Sequence, residues 1–430
     1  MKDSLLEAFF EMDRWEAAIE KGLLKDIDKG TLARLCTPEG RLDMCRRLEG
    51  GTYAIKPPHT ARIPKDEPGE YRTVYVNEPE DRILLAIAND LLFEKMPGAV
   101  HPRCMSYLKG VGCGKVVQEA SREAVRGKGC EIGFKADLSK YFDSVPLEFI
   151  DRAFDLVEER NGKSMLVKAI RDYYHSDKFF NSETKRMEEK FQSLKQGCSV
   201  AAWLADVVLR HVDDRLASMR GWYVRYSDDI LYIGDDWHEA MSALEEELSR
   251  MSMGLNPKKV EVLRKDRWFK FLGFSIRGAD ITVSRGRLKK FQHEVQMRST
   301  KCRSMWRSKD RESAYRRCAR EVCRFLYKGD GDHSWATSVL PVVNVKPDLD
   351  EMSKFVMDCI RAIRTGKRRT GGLGYDASGK YGVVVRGKGA NVTSNRLSAG
   401  DRIEGFNTLG MMRNAMLASR SAYWALCAAM

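Results

Sequence analysis

The sequence predicts a mixed α+β chain built around an antiparallel sheet. Two observations carry that prediction. In VRYSDDILYIG, apolar residues crowd both sides of two adjacent carboxylates, with Val224 and Tyr226 before them and Ile230 to Ile233 after, which reads as strand, turn, strand. Around this hairpin lie long segments with apolar residues at helical spacing, and between Arg285 and Lys328 runs a basic, helix-period stretch without proline.

The elements follow in order. Residues 3–23 place Leu5, Leu6, Phe9, Phe10, Trp15, Ala18 and Ile19 at helical spacing, and 28–48 suggests more helix. From Gly51 the pattern turns β-rich. Residues 61–64 and 72–76 flank a turn with Pro68-Gly69, which predicts a hairpin presenting Lys65 and Arg72. Pro79 to Lys95 is a helix with acids in its first turn. Gly110, Gly112 and Gly114 let the backbone approach a ligand, although without a βαβ unit they are no dinucleotide fingerprint. Residues 134–138 form a short strand ending at Asp137, 147–175 is helical, and 176–196 is a polar hairpin or loop. A helix follows from 201 to 216, with Leu204, Val208 and Val212 one above another. After the acidic hairpin come an amphipathic helix over 237–253, a turn at Asn256 to Lys259 and a strand pair over 268–276. Residues 365–389, rich in Gly, Lys and Arg, read as loop and hairpin, and 408–430 as an apolar helix.

Composition narrows the function. The chain has 430 residues, 43% of them hydrophobic, yet no apolar run approaches the roughly 18 residues of a membrane span. The N-terminus is acidic from Asp3, unlike a secretory signal, and a cytoplasmic protein is expected. Eleven scattered cysteines without a CxxC pair read as reduced, buried thiols rather than a zinc or disulfide framework. The net charge is +13, and between Arg285 and Lys328 there are 15 Lys/Arg against 4 Asp/Glu. Such a basic face suits a polyanion, because each neutralised phosphate releases counterions. A solvated helix face is the plainer alternative for a single charge run.

The chemistry sits in the acids. Two like charges in an apolar hairpin are costly unless a cation neutralises them, and all-oxygen ligands favour Mg²⁺. FKADLSKYFDSVP supplies a third carboxylate. If the strand ending at Asp137 lies beside the hairpin, Asp137 and Asp228 share two metal ions, the arrangement that clamps attacking and leaving oxygens in nucleotidyl transfer. The reading requires Asp137 within about ten ångströms of the other two acids.

These residues resemble the palm of reverse transcriptases. The first aspartate stands at Asp137, a YxDD box at 226–229 and Gln196-Gly197 between them; GLNPKKV at 254–260 and Phe271-Leu272-Gly273-Phe274 follow in the family's order. The resemblance implies a right-hand polymerase with mixed fingers, an antiparallel palm and a helical thumb. It divides the chain into an N-terminal helical extension (1–50), fingers (51–130), palm (131–278, with a fingers insertion near 176–196), thumb (279–330) and a C-terminal extension (331–430) that is an RNA-binding candidate. It implies Asp137, Asp228, Asp229 and the backbone carbonyl of Leu138 as metal ligands, with Lys259, then Lys258, as the general acid toward pyrophosphate. Lys65, Arg72, Phe142, Gln196 and Gly197 become nucleotide contacts, Phe142 as a steric gate against ribonucleotides. Phe271, Leu272 and Gly273 become the primer grip, and Arg285, Arg287, Lys289, Lys290, Arg316 and Arg317 nucleic-acid contacts. Asp81-Arg82 with Ala86 match a family helix, and Ser106, Tyr107 and Lys109 a stretch expected to touch template or guide RNA.

The chain departs from the family where many bacterial members carry Ser-Pro and a later Asn. Here Ala201-Ala202 and Asp206 stand in those places, while Leu209 and Asp213 keep the pattern. With no endonuclease or maturase signature, this looks like the defence-associated bacterial reverse transcriptases, type 2 among them. The implied partners are a noncoding RNA template, its cDNA and dNTPs, with no membrane, and a monomer is favoured while the oligomeric state stays open. A retron or group II intron-like enzyme is one alternative, and a non-polymerising RNA-binding scaffold is another.

Overall fold

The computed structural model describes residues 3–20, 29–64, 71–190, 193–303, 311–327, 334–345, 348, 352, 355, 356, 358–360, 362 and 363. Lys65 and the segments 365–389 and 408–430 lie outside the described residues. The chain divides into two compact units, one of residues 1–109 and 133–262, the other of 110–132 and 263–430. This division crosses the boundaries expected for fingers and palm, because residues 110–132 group with the second unit.

The first unit opens with four short helices where the sequence suggests two longer ones: α1 (Ser4–Phe9), α2 (Met12–Glu20), α3 (Lys29–Cys36) and α4 (Pro38–Glu49). Caps set two of the starts. The Asp3 carboxylate accepts the Leu6 amide at 3.0 Å, and the Thr37 hydroxyl accepts that of Gly40 at 3.1 Å. The expected hairpin is β1 (His59–Pro64) and β2 (Tyr71–Val76), antiparallel with Ile63 opposite Arg72. Helix α5 (Pro79–Lys95) has the predicted bounds, and its first-turn acid Asp81 is buried, accepting from the Tyr53 hydroxyl and the Lys56 amide. Next in the chain come α6 (Cys113–Arg126), β3 (Glu131–Asp137), α7 (Tyr141–Ser144), α8 (Leu147–Asn161) and α9 (Met165–His175). The polar insertion is a hairpin of β4 (Lys178–Asn181) and β5 (Arg186–Glu189), which joins the first to give the sheet order β2-β1-β4-β5.

The central sheet is buried in continuous runs rather than in alternation: Ile132–Phe134, Tyr223–Arg225 and Ile230–Ile233 are all buried. Strands β6 (Trp222–Tyr226) and β7 (Asp229–Ile233) pair antiparallel, and β7 pairs antiparallel with β3. Helix α12 (Trp237–Arg250) and strand β8 (Glu261–Arg264) follow, and the strand order is β6-β7-β3-β8. Phe134 stacks on Tyr232 with ring centroids 5.7 Å apart, both fully buried in one apolar core with Trp203, Phe154 and Tyr174.

The helix expected over 201–216 is broken into α10 (Ala201–Val207) and α11 (Arg210–Ala217). The cause is visible in its carbonyls. Those of Ala205 and Asp206 would accept the amides of Leu209 and Arg210 in a continuous helix. Instead the Arg225 guanidinium donates to Ala205 O at 3.2 Å and Asp206 O at 2.8 Å, and the Tyr141 hydroxyl also donates to Ala205 O. Side chains inserted into the ladder end the helix there. Arg225 also forms a two-pronged pair with Asp213, Nε to Oδ1 at 2.7 Å and Nη2 to Oδ2 at 2.6 Å, both side chains wholly buried.

In the second unit, β9 (Phe269–Phe271), β10 (Phe274–Arg277) and β11 (Asp280–Val283) form an antiparallel sheet of order β11-β10-β9. The turn between β9 and β10 has positive φ at Leu272 (47°) and Gly273 (79°), the two-residue geometry that matches strand twist. The basic stretch is indeed helical, as α13 (Arg285–Arg303) and α14 (Arg311–Tyr327), and α13 buries Leu288, Phe291, Val295 and Cys302 on one face. Among the described residues no helix is long and apolar enough to cross a membrane.

Truncating one member of a buried ion pair strands the other's charge. Asp213→Ala is therefore expected to cost about 3–5 kcal/mol, and the paired apolar replacement Asp213→Leu with Arg225→Met to recover most of it. Urea unfolding followed by circular dichroism measures both; a cost below about 1 kcal/mol for Asp213→Ala would remove the pair from its anchoring role.

Candidate active site

The acids meet at one end of the central sheet. Between β6 and β7 only Ser227 and Asp228 form the turn; Ser227 takes φ of +58°, the positive value a two-residue turn demands at its first position. Asp229 is already the first residue of β7, so one acid rides the turn and the other the strand. Register then brings the third: Asp137 is the partner of Asp229 across β3 and β7. Opposite residues of antiparallel strands have Cα atoms about 4.5–5.5 Å apart, well within the distance that shared ions require. The Leu138 amide donates to Asp228 O at 3.2 Å, closing the corner.

A second backbone bridge fixes the basic partner. Asn256 N donates to Asp137 O at 2.8 Å and Ser139 N to Gly254 O at 2.9 Å, bonds that bypass the Leu138 carbonyl. The turn they anchor, closed by Lys259 N to Asn256 O, delivers the Lys259 ammonium to Asp137 Oδ2 at 2.7 Å. Lys259 rather than Lys258 therefore faces the acids.

Electrostatics show a site short of positive charge. Burial pushes the Asp228 carboxyl up, the Asp137 charge adds to it, and Lys259 and Arg72 only partly oppose. Asp229 is pushed up to about 6 by burial and by Asp228 and Asp137. For Lys259 burial works against the charge, yet the hydrogen bond and charge of Asp137, with Asp228 and Asp229, hold its pKa above the ordinary value. Among the described residues no three His, Cys, Asp or Glu side chains are already drawn tightly enough around a point to hold an ion. Here the Lys259 ammonium takes one oxygen of Asp137 instead. An all-oxygen set with two carboxyls raised by burial and by neighbouring like charge fits a hard divalent cation, and Asp137, Asp228, Asp229 and the Leu138 carbonyl are the residues that would hold it.

The remaining expected contacts are distributed differently. Arg72 is exposed on β2, and its charge reaches Asp228. Phe142 is half-buried on α7, 5.4 Å centroid to centroid from Tyr141. Gln196 O accepts the Tyr75 amide at 2.7 Å, and Gly197, at φ +104°, passes so close to β2 that a Cβ would lie 2.7 Å from Tyr75 O. Glycine is thus required there by backbone packing alone. Ser106 is fully buried, which overturns its expected contact with RNA, while Tyr107 is partly exposed and Lys109 pairs with Asp90.

In the second unit, Phe271, Leu272 and Gly273 form the end of β9 and its turn. Arg287 does not project with the other basic residues: its guanidinium lies 4.7 Å from the Phe274 ring and donates to Leu272 O at 3.3 Å, and burial lowers its pKa. The stem that packs on apolar surface is committed to that turn, a correction to its expected place in the nucleic-acid face. Arg285, Lys289, Lys290 and Arg317 are exposed, and Arg316 lies 3.5 Å from Glu312.

Sequence reasoning missed Arg225 and gave Ser106 a different role. Arg225 is the one charged residue within the apolar strand VRY, a signal that it needs an internal partner.

Residues 63–276 match the family model described as reverse transcriptase (RNA-dependent DNA polymerase). The chain carries a reverse transcriptase domain. The acids, the Gln196-Gly197 pair and the Lys259 turn all fall inside the matched residues. Among solved structures, the chain is similar to an apo telomerase from Candida tropicalis truncated from its C-terminal domain, at 12% identity and a TM-score of 0.38, over 54% of this chain and 56% of that one. The chain thus spans little more than half of that structure. No curated protein matches it significantly.

A carboxyl held at about pKa 6 against about 3.9 when unfolded makes its full contribution to stability below about pH 4 and loses it as pH rises through 6. With chelator present, Asp229→Asn is expected to match the wild type near pH 4 and to exceed it at pH 7, by on the order of 1–3 kcal/mol. Thermal unfolding across that range checks this; a difference that does not grow with pH contradicts the uncompensated-charge account.

Proposed function

We propose that the protein is an RNA-directed DNA polymerase that copies a noncoding RNA into cDNA, and that it serves antiphage defence in the bacterial cytoplasm. The observation that carries the polymerase reading is the convergence of Asp137, Asp228 and Asp229 at one sheet end, beside a cationic Lys259. A scaffold has no physical need for three mutually repelling acids, one buried and two half-buried.

Mg²⁺ ions, when bound, supply the charge that makes the primer 3′-hydroxyl a nucleophile and neutralises the transferring phosphate. The chain's own residues do the rest. Asp137 and Asp228 hold the ions with the Leu138 carbonyl, and Asp229 supports them from the strand. Lys259, the turn lysine already beside the acids, gives its proton to the departing pyrophosphate. Arg72 meets the triphosphate from the hairpin, and Phe142 stands below the sugar, favouring deoxynucleotides. The exposed basic residues of α13 and α14 take the nucleic-acid backbone, so binding weakens steeply with salt. Defence is supported by the departures at Ala201-Ala202 and Asp206, which set the chain apart from the retron and intron patterns.

Asp228→Ala is expected to reduce dNTP incorporation on a primed RNA template with Mg²⁺ to background while RNA affinity stays within about twofold. Lys259→Ala is expected to lower the rate about a hundredfold, the usual scale of a general acid. Undiminished incorporation by Asp228→Ala would refute the polymerase assignment. Sequencing the RNA and DNA that co-purify with wild type and Asp228→Ala, alongside plaque assays, tests template and defence: loss of both cDNA and protection is the expected result.

A further inference from the structure

The metal-binding turn contains a strained residue. Ser227 is not glycine, yet it holds φ at +58°, a conformation that costs about 1–3 kcal/mol and persists only where surroundings impose it. Its surroundings do so from both sides. The Ser227 amide donates to Ser106 Oγ at 2.9 Å, and its carbonyl accepts from Arg225 Nη1 at 3.2 Å. The two peptide groups that flank Ser227 are therefore each gripped by a buried side chain, and together they aim Asp228.

Ser106 is itself oriented. It lies beside β6 in a segment bonded to it through Met105 N to Arg225 O and Arg225 N to Arg103 O, both 2.9 Å. Its hydroxyl proton goes to Asp206 Oδ1 at 2.5 Å, which turns a lone pair toward the Ser227 amide. Asp206 is fully buried, and its Oδ2 has no hydrogen-bond partner among the described residues. An unsatisfied buried carboxyl oxygen is expensive, and stability alone gives no reason to keep it.

We propose that Ser106 and Asp206 are positioning residues for metal binding: Asp206 orients the Ser106 hydroxyl, Ser106 holds the Ser227 amide, and the held turn presents Asp228 to the cation. Neither residue touches substrate or ion. The inference rests on the reading of Asp228 as a metal ligand and goes beyond it, because it assigns site affinity to two residues 100 positions apart in sequence that no family pattern marks as ligands.

The test uses the full chain and Mn²⁺, with free ion followed by electron paramagnetic resonance, for wild type, Ser106→Ala, Asp206→Leu and Asp206→Asn. Groups that orient a ligand are worth ten- to a hundredfold in affinity. The Mn²⁺ Kd is expected to rise by about that factor in Ser106→Ala and Asp206→Leu, and to stay within about threefold of wild type in Asp206→Asn, which keeps the acceptor. Melting temperature in chelator is recorded for each variant and titrations are run well below it, so that a merely structural role shows as a lowered melting temperature with unchanged Kd. That result, or Asp206→Asn binding as weakly as Asp206→Leu, overturns the proposal. If Ser106→Ala does not fold, the Asp206 pair decides. A wild type that binds Mn²⁺ but incorporates no nucleotide refutes the polymerase reading and leaves this inference standing; one that binds no Mn²⁺ overturns both.

Discussion

The buried pair of Arg225 and Asp213 is the interaction on which the geometry of the acidic turn depends. A guanidinium has five N–H donors, and here five bonds are made: two to Asp213, one each to the carbonyls of Ala205, Asp206 and Ser227. One side chain thereby ends α10, receives the acid of α11 and grips the hairpin tip. Tyr223 adds its hydroxyl to the same carboxylate at 2.7 Å. Such a pair adds little net stability, since desolvation offsets most of its attraction. What it imposes is geometry, because any other arrangement leaves a buried charge unpaired.

Immediately beyond this satisfied network lies its opposite. Asp137, Asp228 and Asp229 repel one another with incomplete compensation from Lys259, Arg72 and Lys135. The first network makes the second possible, for a turn carrying uncompensated charge would otherwise relax outward to water. Strain at a functional tip is sustained by rigid surroundings. The Lys259 ammonium neutralises one oxygen of Asp137 and so steadies the cluster of acids.

Much of this is legible in the amino-acid sequence. The apolar runs around VRYSDDILYIG and FKADL read as strands that end at the acids, and the pairing of β3 with β7 then brings those acids together at one end. Helix α5 and the basic helices α13 and α14 also followed from local spacing. The break at Val208 and Leu209 did not, since the pattern of Leu204, Val208 and Val212 is continuous and the interruption comes from Arg225 and Tyr141, both remote in sequence. Arg287 was misjudged for the same reason: among many surface-like basic residues, only its neighbours Phe274 and Leu272 single it out.

The sequence by itself determined where most strands and helices lie and which acids are the candidates for the chemistry, because periodicity and an uncompensated cluster of like charge are properties of short stretches. Only the tertiary structure decided which polar residues are spent internally. No local pattern names the partners of Arg225, Asp213, Ser106 and Asp206; contacts between distant segments remove water from around them, and a buried polar group's role is fixed by the partner it then must find.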